Sequence, residues 1–457
     1  MSKRLAITIS GAVSLGSYEA GVLYEIVHAI GQHNTDPATP PDDKIYIDVL
    51  TGASAGGMTA TITAQKLLFE ADALAGAYSN SFYLPWVADV SLDGLLAMHG
   101  DDDATKSILS SQLVVDLSKR YLTQRYQSHI DAPRQRHPAC ADQVRLGLAL
   151  ANLNGVDYGL ALRPSGQFVY TRHQDELVAQ FNPADPTDDT LDYWDPIRNA
   201  AVSCGAFAFA FRVVDVIRHA TEYADPDLVT PIAPTQSFAY TDGGTFQNEP
   251  LGLAKRLVDQ IDNHLDVDNR FYLFVAPGAK SSSANSTFNA GNANYTKTAE
   301  RLVSAVFSQS RFQDWIMAEQ LNEQISLFNQ RAYGLRDMLN NGGDACAQKL
   351  QAAANEILPM LFKAPAAGQP PAETLEAARA RLKKQFAGDY AALAPARRDA
   401  WIDAILTLET AAHLASRDEM TIYGITASEQ ELASFELFAF AGFFDRRYRD
   451  HDYDVGR

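Results

Sequence analysis

The pentapeptide Gly52-Ala53-Ser54-Ala55-Gly56 stands between an apolar, β-branched run, Ile45 to Leu50, and a segment from Gly57 to Ala64 that reads as helix. A G-x-S-x-G sequence between strand and helix holds a serine hydroxyl at the top of a sheet in a strained turn. Glycine suits both flanking positions because strand and helix crowd each other there and a Cβ would clash. The serine then lies at a helix N-terminus, where unpaired N–H groups and the helix dipole favour developing negative charge. One short segment thus sets a strand, a helix and their order, and makes Ser54 a candidate nucleophile toward a carbonyl. Small residues also cluster in ordinary turns, so the assignment needs a second motif.

The surrounding pattern predicts an α/β fold. Leu5 to Ile9 alternates as a strand, and Ser10 to Gly16 is a loop. Val22, Leu23, Ile26, Val27 and Ile30 then fall at helical spacing within a helix from about Ser17 to Ile30. A β-α-β-α opening predicts a mostly parallel central sheet flanked by helices. More strands are expected at Val144 to Asn152, Gln167 to Thr171, Gln236 to Thr241 and Phe271 to Ala276. The last two flank a helix at about Pro250 to Asn263, as another β-α-β unit. Residues 280–297 are rich in Ser, Asn and Ala and read as an exposed loop. From about Thr298 the chain reads as helical almost to its end, with a linker at Ala364 to Ala372. The expected division is an α/β catalytic part, residues 1–280, and a mainly helical part, residues 281–457.

Two aromatic segments have two readings each. Residues 82–96 form either a lid or lipid-facing loop, or a buried connector. Ala206 to Phe211 alternates alanine with phenylalanine, which at period two puts the rings on one face, as an acyl groove or as a buried strand.

The 457 residues carry a formal net charge of −18, which argues against nucleic acid, whose phosphates demand a basic surface. Cys140, Cys204 and Cys346 lie far apart, without disulfide or metal-ligand spacing, and fit a reducing cytosol. Asp101-Asp102-Asp103 lacks the calcium-loop pattern. Met1 to Ser10 reads as a first strand rather than a signal peptide. The longest apolar stretches, Ala200 to Phe211 and Leu437 to Phe444, fall short of the ~20 residues that span a bilayer. The expected location is the cytoplasm, with peripheral membrane contact left open. The aromatic ending (Phe435, Leu437, Phe438, Phe440, Phe443, Phe444) is either core or anchor. Arg446, Arg447 and Arg449 form a local basic cluster that either meets a headgroup phosphate or ends a solvated helix.

The second motif is Asp242-Gly243-Gly244, which follows the strand ending at Thr241. Asp-Gly is a common turn pair, but an aspartate at the C-terminal end of a strand shares the sheet edge expected for Ser54. Taken together, Gly11 to Gly16, Gly52 to Gly56 and Asp242 to Gly244 resemble, in order, three motifs of the patatin-like phospholipase family. These are its glycine-rich oxyanion loop, its G-x-S-x-G serine and its D-G-G aspartate. Asn248 and Pro250 resemble its N-x-P tail, and Ala200 to Phe207 resembles its A-x-x-A-S-x-A segment without the proline. The resemblance covers roughly residues 4–280, and the ending from Gly442 to Tyr453 looks like the tail of some bacterial members.

The resemblance implies a Ser–Asp dyad without histidine: Ser54 as nucleophile and Asp242 as general base and acid. It implies an oxyanion hole from backbone N–H groups of Ala12 and Val13, with Ala55 and Gly11 as further contributors, and structural glycines at 52, 56, 243 and 244. No cofactor or metal is called for, and the substrate is a lipid or other acyl ester. One departure stands out. The family loop is G-G-G-x-[RK]-G, whereas this chain has Ala12, Val13 and Leu15. A positive φ there would be strained, most of all at Val13. A Ser-His-Asp triad would draw on His264 or His413, and nothing around either marks it as catalytic. The same dyad also suits a transacylase, and the altered loop leaves room for a catalytically weak lipid-binding or scaffold protein whose partner is unknown.

Overall fold

Short aliphatic and β-branched runs pair at the centre of one sheet, where their side chains are buried on both faces. The computed structural model describes residues 2–127, 134–161, 166–223, 225, 227–262, 269–279, 288–311, 313–362, 373–412, 414, 419–435 and 439–457. The strands are β1 (Lys3–Ile9), β2 (Ile45–Gly52), β3 (Cys140–Ala161), β4 (Gln167–Phe181), β5 (Val214–His219), β6 (Thr235–Thr241), β7 (Arg270–Ala279) and β8 (Ile422–Ser428). Their order is β5-β6-β3-β2-β1-β7-β8, with β4 pairing with β3. The centre is parallel: β1 pairs with β2 and β7, β2 with β3, and β7 with β8. Ile7, Ile9, Ile47, Val49 and Leu50 are fully buried, as parallel strands covered by helices require. Helices α1 (Gly16–Thr35) and α2 (Ala55–Phe69) follow β1 and β2. The family-type α/β fold, mostly parallel with flanking helices and a helical C-terminal region, is therefore present.

The expected β-α-β unit around the helix Leu251–Asp262 is not formed. β6 is antiparallel to β3, so it runs against β7, and three strands separate the two. Asp242 nonetheless reaches the C-terminal edge of β2. Leu148 of β3 pairs with Gly52, and β3 continues past it to Ala161. β6 pairs with this overhang and runs back toward the sheet, with Thr241 opposite Ala151. Asp242 shares the serine's sheet edge, not by way of a parallel strand but through a long β3 and an antiparallel return.

The chain divides into compact units at other points than residue 280. One unit is residues 1–316 with 421–457, and the other is residues 317–420. The reason is β8, which lies inside the segment expected to be helical and adds a parallel edge to β7. The C-terminal helix Arg446–Gly456 also belongs to the first unit. Tyr453 is fully buried, its hydroxyl donates to the Ala77 carbonyl at 2.8 Å, and Asn80 Nδ2 donates to it at 3.0 Å. The second unit has its own core of Phe328, Leu339, Leu358, Leu382, Trp401 and Ile405. The expected linker Ala364 to Ala372, and residues 280–287 of the expected loop, lie outside the described residues; helix resumes at Tyr295. Among the described residues no helix is long and apolar enough to cross a membrane.

Truncating a buried aromatic costs about 3–5 kcal/mol. The Tyr453→Ala variant is expected to lose stability of that order in urea melts of the full chain, although only four residues follow Tyr453 in the sequence.

Candidate active site

Ser54 closes the turn between β2 and α2 with φ 52 and ψ −128, a conformation that costs a non-glycine residue on the order of 1–3 kcal/mol. Close packing imposes it. A Cβ on Gly52 would lie 2.6 Å from Gly57 N, and one on Gly56 would run into the Ile9 and Ser10 carbonyls. Strand and helix touch backbone to backbone, which only glycine allows on both sides of the serine.

Asp242 follows β6 and is anchored before it meets the serine. Its N–H donates to the Ala206 carbonyl at 2.9 Å, and the Thr241 hydroxyl donates to the same oxygen at 2.8 Å. Oδ1 accepts the Gly244 N–H at 2.7 Å, and Oδ2 accepts the Ser54 hydroxyl at 2.7 Å. A Cβ on Gly243 would collide with the Ala149 carbonyl, so glycine lets this turn lie flat on β3. Asp242 is 1% exposed and Ser54 7%. Burial pushes the Asp242 carboxyl up to about 7, against the lowering effect of its hydrogen bonds from Ser54 and Gly244. Among the described residues no histidine hydrogen-bonds to either side chain; His264 and His413 lie outside the described residues.

The loop after β1 packs beside this pair. Val13 takes φ 52 while Ala12 stays at φ −141, so the positive φ falls on the β-branched residue. Leu15, which stands where the family has a cation, is buried in the main core, where an unpaired charge would be costly. The N–H groups of Ala12, Val13 and Ala55 have no acceptor among the described residues. Gly11 differs. Its N–H donates to the Asn248 carbonyl at 3.1 Å, and Asn248 Nδ2 donates back to the Gly11 carbonyl at 3.4 Å. The Gly11 N–H is thus engaged in fastening the loop, unlike those of Ala12, Val13 and Ala55. The Asn248 clamp was visible only as part of a motif; its role follows from the meeting of the β1 and β6 tails.

An apolar cavity of about 100 Å³ opens on Ser54, with walls that include Val13, Met58, Trp86, Leu117, Phe207 and Phe443. Several of these carried no signal in the sequence. Phe82 and Val87 are fully buried, while Trp86, Val90 and Leu95 line the cavity, so residues 82–90 are a buried connector that supplies a wall, and the segment reaches solvent at Ser91, Asp93 and Leu96. Ala206 to Phe211 is a turn rather than a period-two strand. The Phe211 N–H donates to the Phe207 carbonyl at 3.0 Å, which brings Phe207 and Phe211 to the cavity and leaves Phe209 72% exposed.

The basic cluster is also re-read. Arg449 is buried and donates to the Val87, Val90 and Gly442 carbonyls, so it braces the cavity wall. Arg446 and Arg447 pair with Asp450 and Asp445. Asp102 accepts from the Ser110 hydroxyl and from the His99 and Gln112 N–H groups, and among the described residues no acidic, His or Cys cluster could hold a metal ion.

A strand-to-helix serine bonded to a buried carboxylate, over an apolar cavity on a mixed α/β sheet, is an arrangement of the serine acyl hydrolase type. The sequence profile of the patatin-like phospholipase family matches residues 7–255, more than half of the chain. The protein belongs to that family, whose domain supports lipid acyl hydrolase activity in general. No curated protein matches it significantly.

A misplacement of about 1 Å at a reacting centre can cost roughly 100-fold in rate. Asn248→Ala removes the Nδ2 bond to the Gly11 carbonyl and leaves the backbone bond from the Gly11 N–H; the loosened loop is expected to lower kcat about 10-fold with little change in KM, measured on a soluble ester.

Proposed function

We propose that the protein hydrolyses lipid acyl esters through a Ser54–Asp242 dyad, in the manner of a phospholipase A or related esterase. The observation that carries this reading is the 2.7 Å hydrogen bond from Ser54 Oγ to a fully buried carboxylate. The ester carbonyl sits over Ser54 with its acyl chain in the apolar cavity. Ser54 Oγ attacks the carbonyl carbon as its proton passes to Asp242 Oδ2. The tetrahedral oxyanion accepts hydrogen bonds from the N–H groups of Ala12, Val13 and Ala55, at the positive end of the α2 dipole. Collapse breaks the ester C–O bond, and the departing alcohol takes the proton from Asp242. Water then attacks the acyl-serine, giving its proton to Asp242, which returns it to Ser54 Oγ as the fatty acid leaves.

An ordinary aspartate, with a pKa near ~3.9, is a poor base for a hydroxyl. The dry site raises Asp242 to about 7, which matches it better to proton transfer near neutral pH. Gly244 holds Oδ1, so Oδ2 stays aimed at the serine without a third residue.

Ser54→Ala and Asp242→Asn are each expected to reduce fatty-acid release from diacylphospholipid by more than about 1,000-fold, with folding unchanged by circular dichroism. A fluorophosphonate should label Ser54 alone; a folded wild-type protein that resists labelling counts against the dyad.

The pH profile carries a sign. The base must be unprotonated, so kcat/KM should rise about tenfold per unit below pH 7 and level off above the Asp242 value of about 7. A profile flat from pH 5 to 8 contradicts a rate-controlling Asp242.

A further inference from the structure

We infer that the protein docks on a neutral or zwitterionic lipid surface through an apolar rim around the acyl cavity, formed by Leu96, Ile108, Phe209 and Phe444. The inference rests on the acyl-ester reading of the cavity and adds where, and on what kind of surface, the substrate is met.

Four exposed apolar side chains mark the rim: Phe209 at 72%, Ile108 at 68%, Phe444 at 59% and Leu96 at 54%. Each is the chain neighbour of a residue buried in one small cluster, namely Ala210, Leu109, Phe443 and Leu95. That cluster also contains Phe207 and Phe211, which line the cavity over Ser54. The segments are joined. The Ile108 N–H donates to the Phe209 carbonyl at 3.1 Å, the Leu109 N–H to the Ala210 carbonyl at 2.8 Å, and the Ser110 N–H to the Leu95 carbonyl at 2.6 Å. Leu95 and Phe443 line the cavity, Leu109 and Ala210 pack in the cluster beside it, and in each segment the adjoining apolar side chain faces solvent.

Phe209 is the sharpest case. It takes φ 70, a conformation rare for a bulky residue, and the result is an aromatic ring in water. The strained backbone costs stability, and a ring left in water adds little burial to offset it. Both make sense if the ring enters an apolar phase, as aromatic side chains do at lipid interfaces.

The chemistry of the occupant follows from the cavity and from charge. A long acyl chain reaches Ser54 only by leaving a lipid aggregate, so an apolar rim continuous with the cavity shortens that transfer through water. Anionic lipid does not fit. The formal net charge is −18, the loop leading to Ile108 carries Asp101 and an Asp103–Lys106 pair, and Arg446 and Arg447 beside Phe444 are already paired with acids. Attraction must come from apolar burial, which is insensitive to moderate salt.

The test uses the full chain with Ser54→Ala, which prevents hydrolysis, and phosphatidylcholine vesicles in a co-sedimentation assay. Phe209→Gly together with Ile108→Ser in that background is expected to weaken binding about tenfold or more. Phe209→Gly alone should not lower the thermal midpoint, because glycine accepts a positive φ; it carries the test if Ile108→Ser folds poorly. With Ser54 intact, the rim variants should hydrolyse a monomeric short-chain ester at the parent rate and lose activity on vesicles in parallel with binding. Equal vesicle binding by parent and rim variants overturns the proposal. So does binding that requires anionic lipid and disappears at 0.5 M salt, since that describes an electrostatic surface. Rim-dependent binding by a protein that cleaves no ester would leave docking standing and remove the hydrolase reading, so the two failures are distinguishable.

Discussion

The hydrogen bond between Ser54 and Asp242 joins residues 188 positions apart, and much of the sheet is arranged around it. Asp242 has to arrive at the C-terminal edge of β2 while entering from a strand that runs the other way. The long β3 makes this possible by extending beyond its pairing with β2 and giving β6 a ladder to follow back. The bond then lies in a dry environment, where desolvation alters the acid–base chemistry of the carboxylate. A shorter β3 would leave Asp242 without a route to the serine.

Strain is concentrated where the chemistry is proposed. Among the described residues the non-glycine residues with positive φ are Val13, Ser54, Phe209 and Ala439. Ser54 is the serine itself, and Val13 lines the cavity. Phe209 lies between two cavity-lining phenylalanines, and the Ala439 carbonyl accepts the hydroxyl of Ser14 in the β1 loop. Conformations of this kind persist only where the surroundings over-determine them. Here the determinants are the glycine contacts of the β2–α2 turn, the Asn248 clamp on Gly11 and the helix Arg446–Gly456, whose Arg449 fills three carbonyls along the cavity wall.

The last 37 residues show why boundaries drawn from composition can mislead. They follow a helical stretch and read as its continuation, yet β8 completes the sheet edge and Tyr453 fills a gap in the main core. A chain can leave a unit, build a second core around Trp401 and return. Local pattern is blind to the return because strand pairing and helix docking are long-range contacts.

By itself the sequence determined the α/β class, the serine in its turn, the aspartate and the loop after β1. These rest on local rules, since glycine spacing, hydrophobic period and strand–turn–helix order are written in neighbouring residues. It also marked Ala12 and Val13 as positions where a positive φ would be strained, and the structure puts it on Val13. Only the tertiary structure decided the antiparallel approach of β6, the bond from the Gly11 N–H to the Asn248 carbonyl and the return of the C-terminal segment. It likewise decided which phenylalanines face the cavity and which face solvent. Each of those outcomes depends on contacts between segments far apart in the chain, where a hydrogen bond or a buried face is settled by what another segment brings.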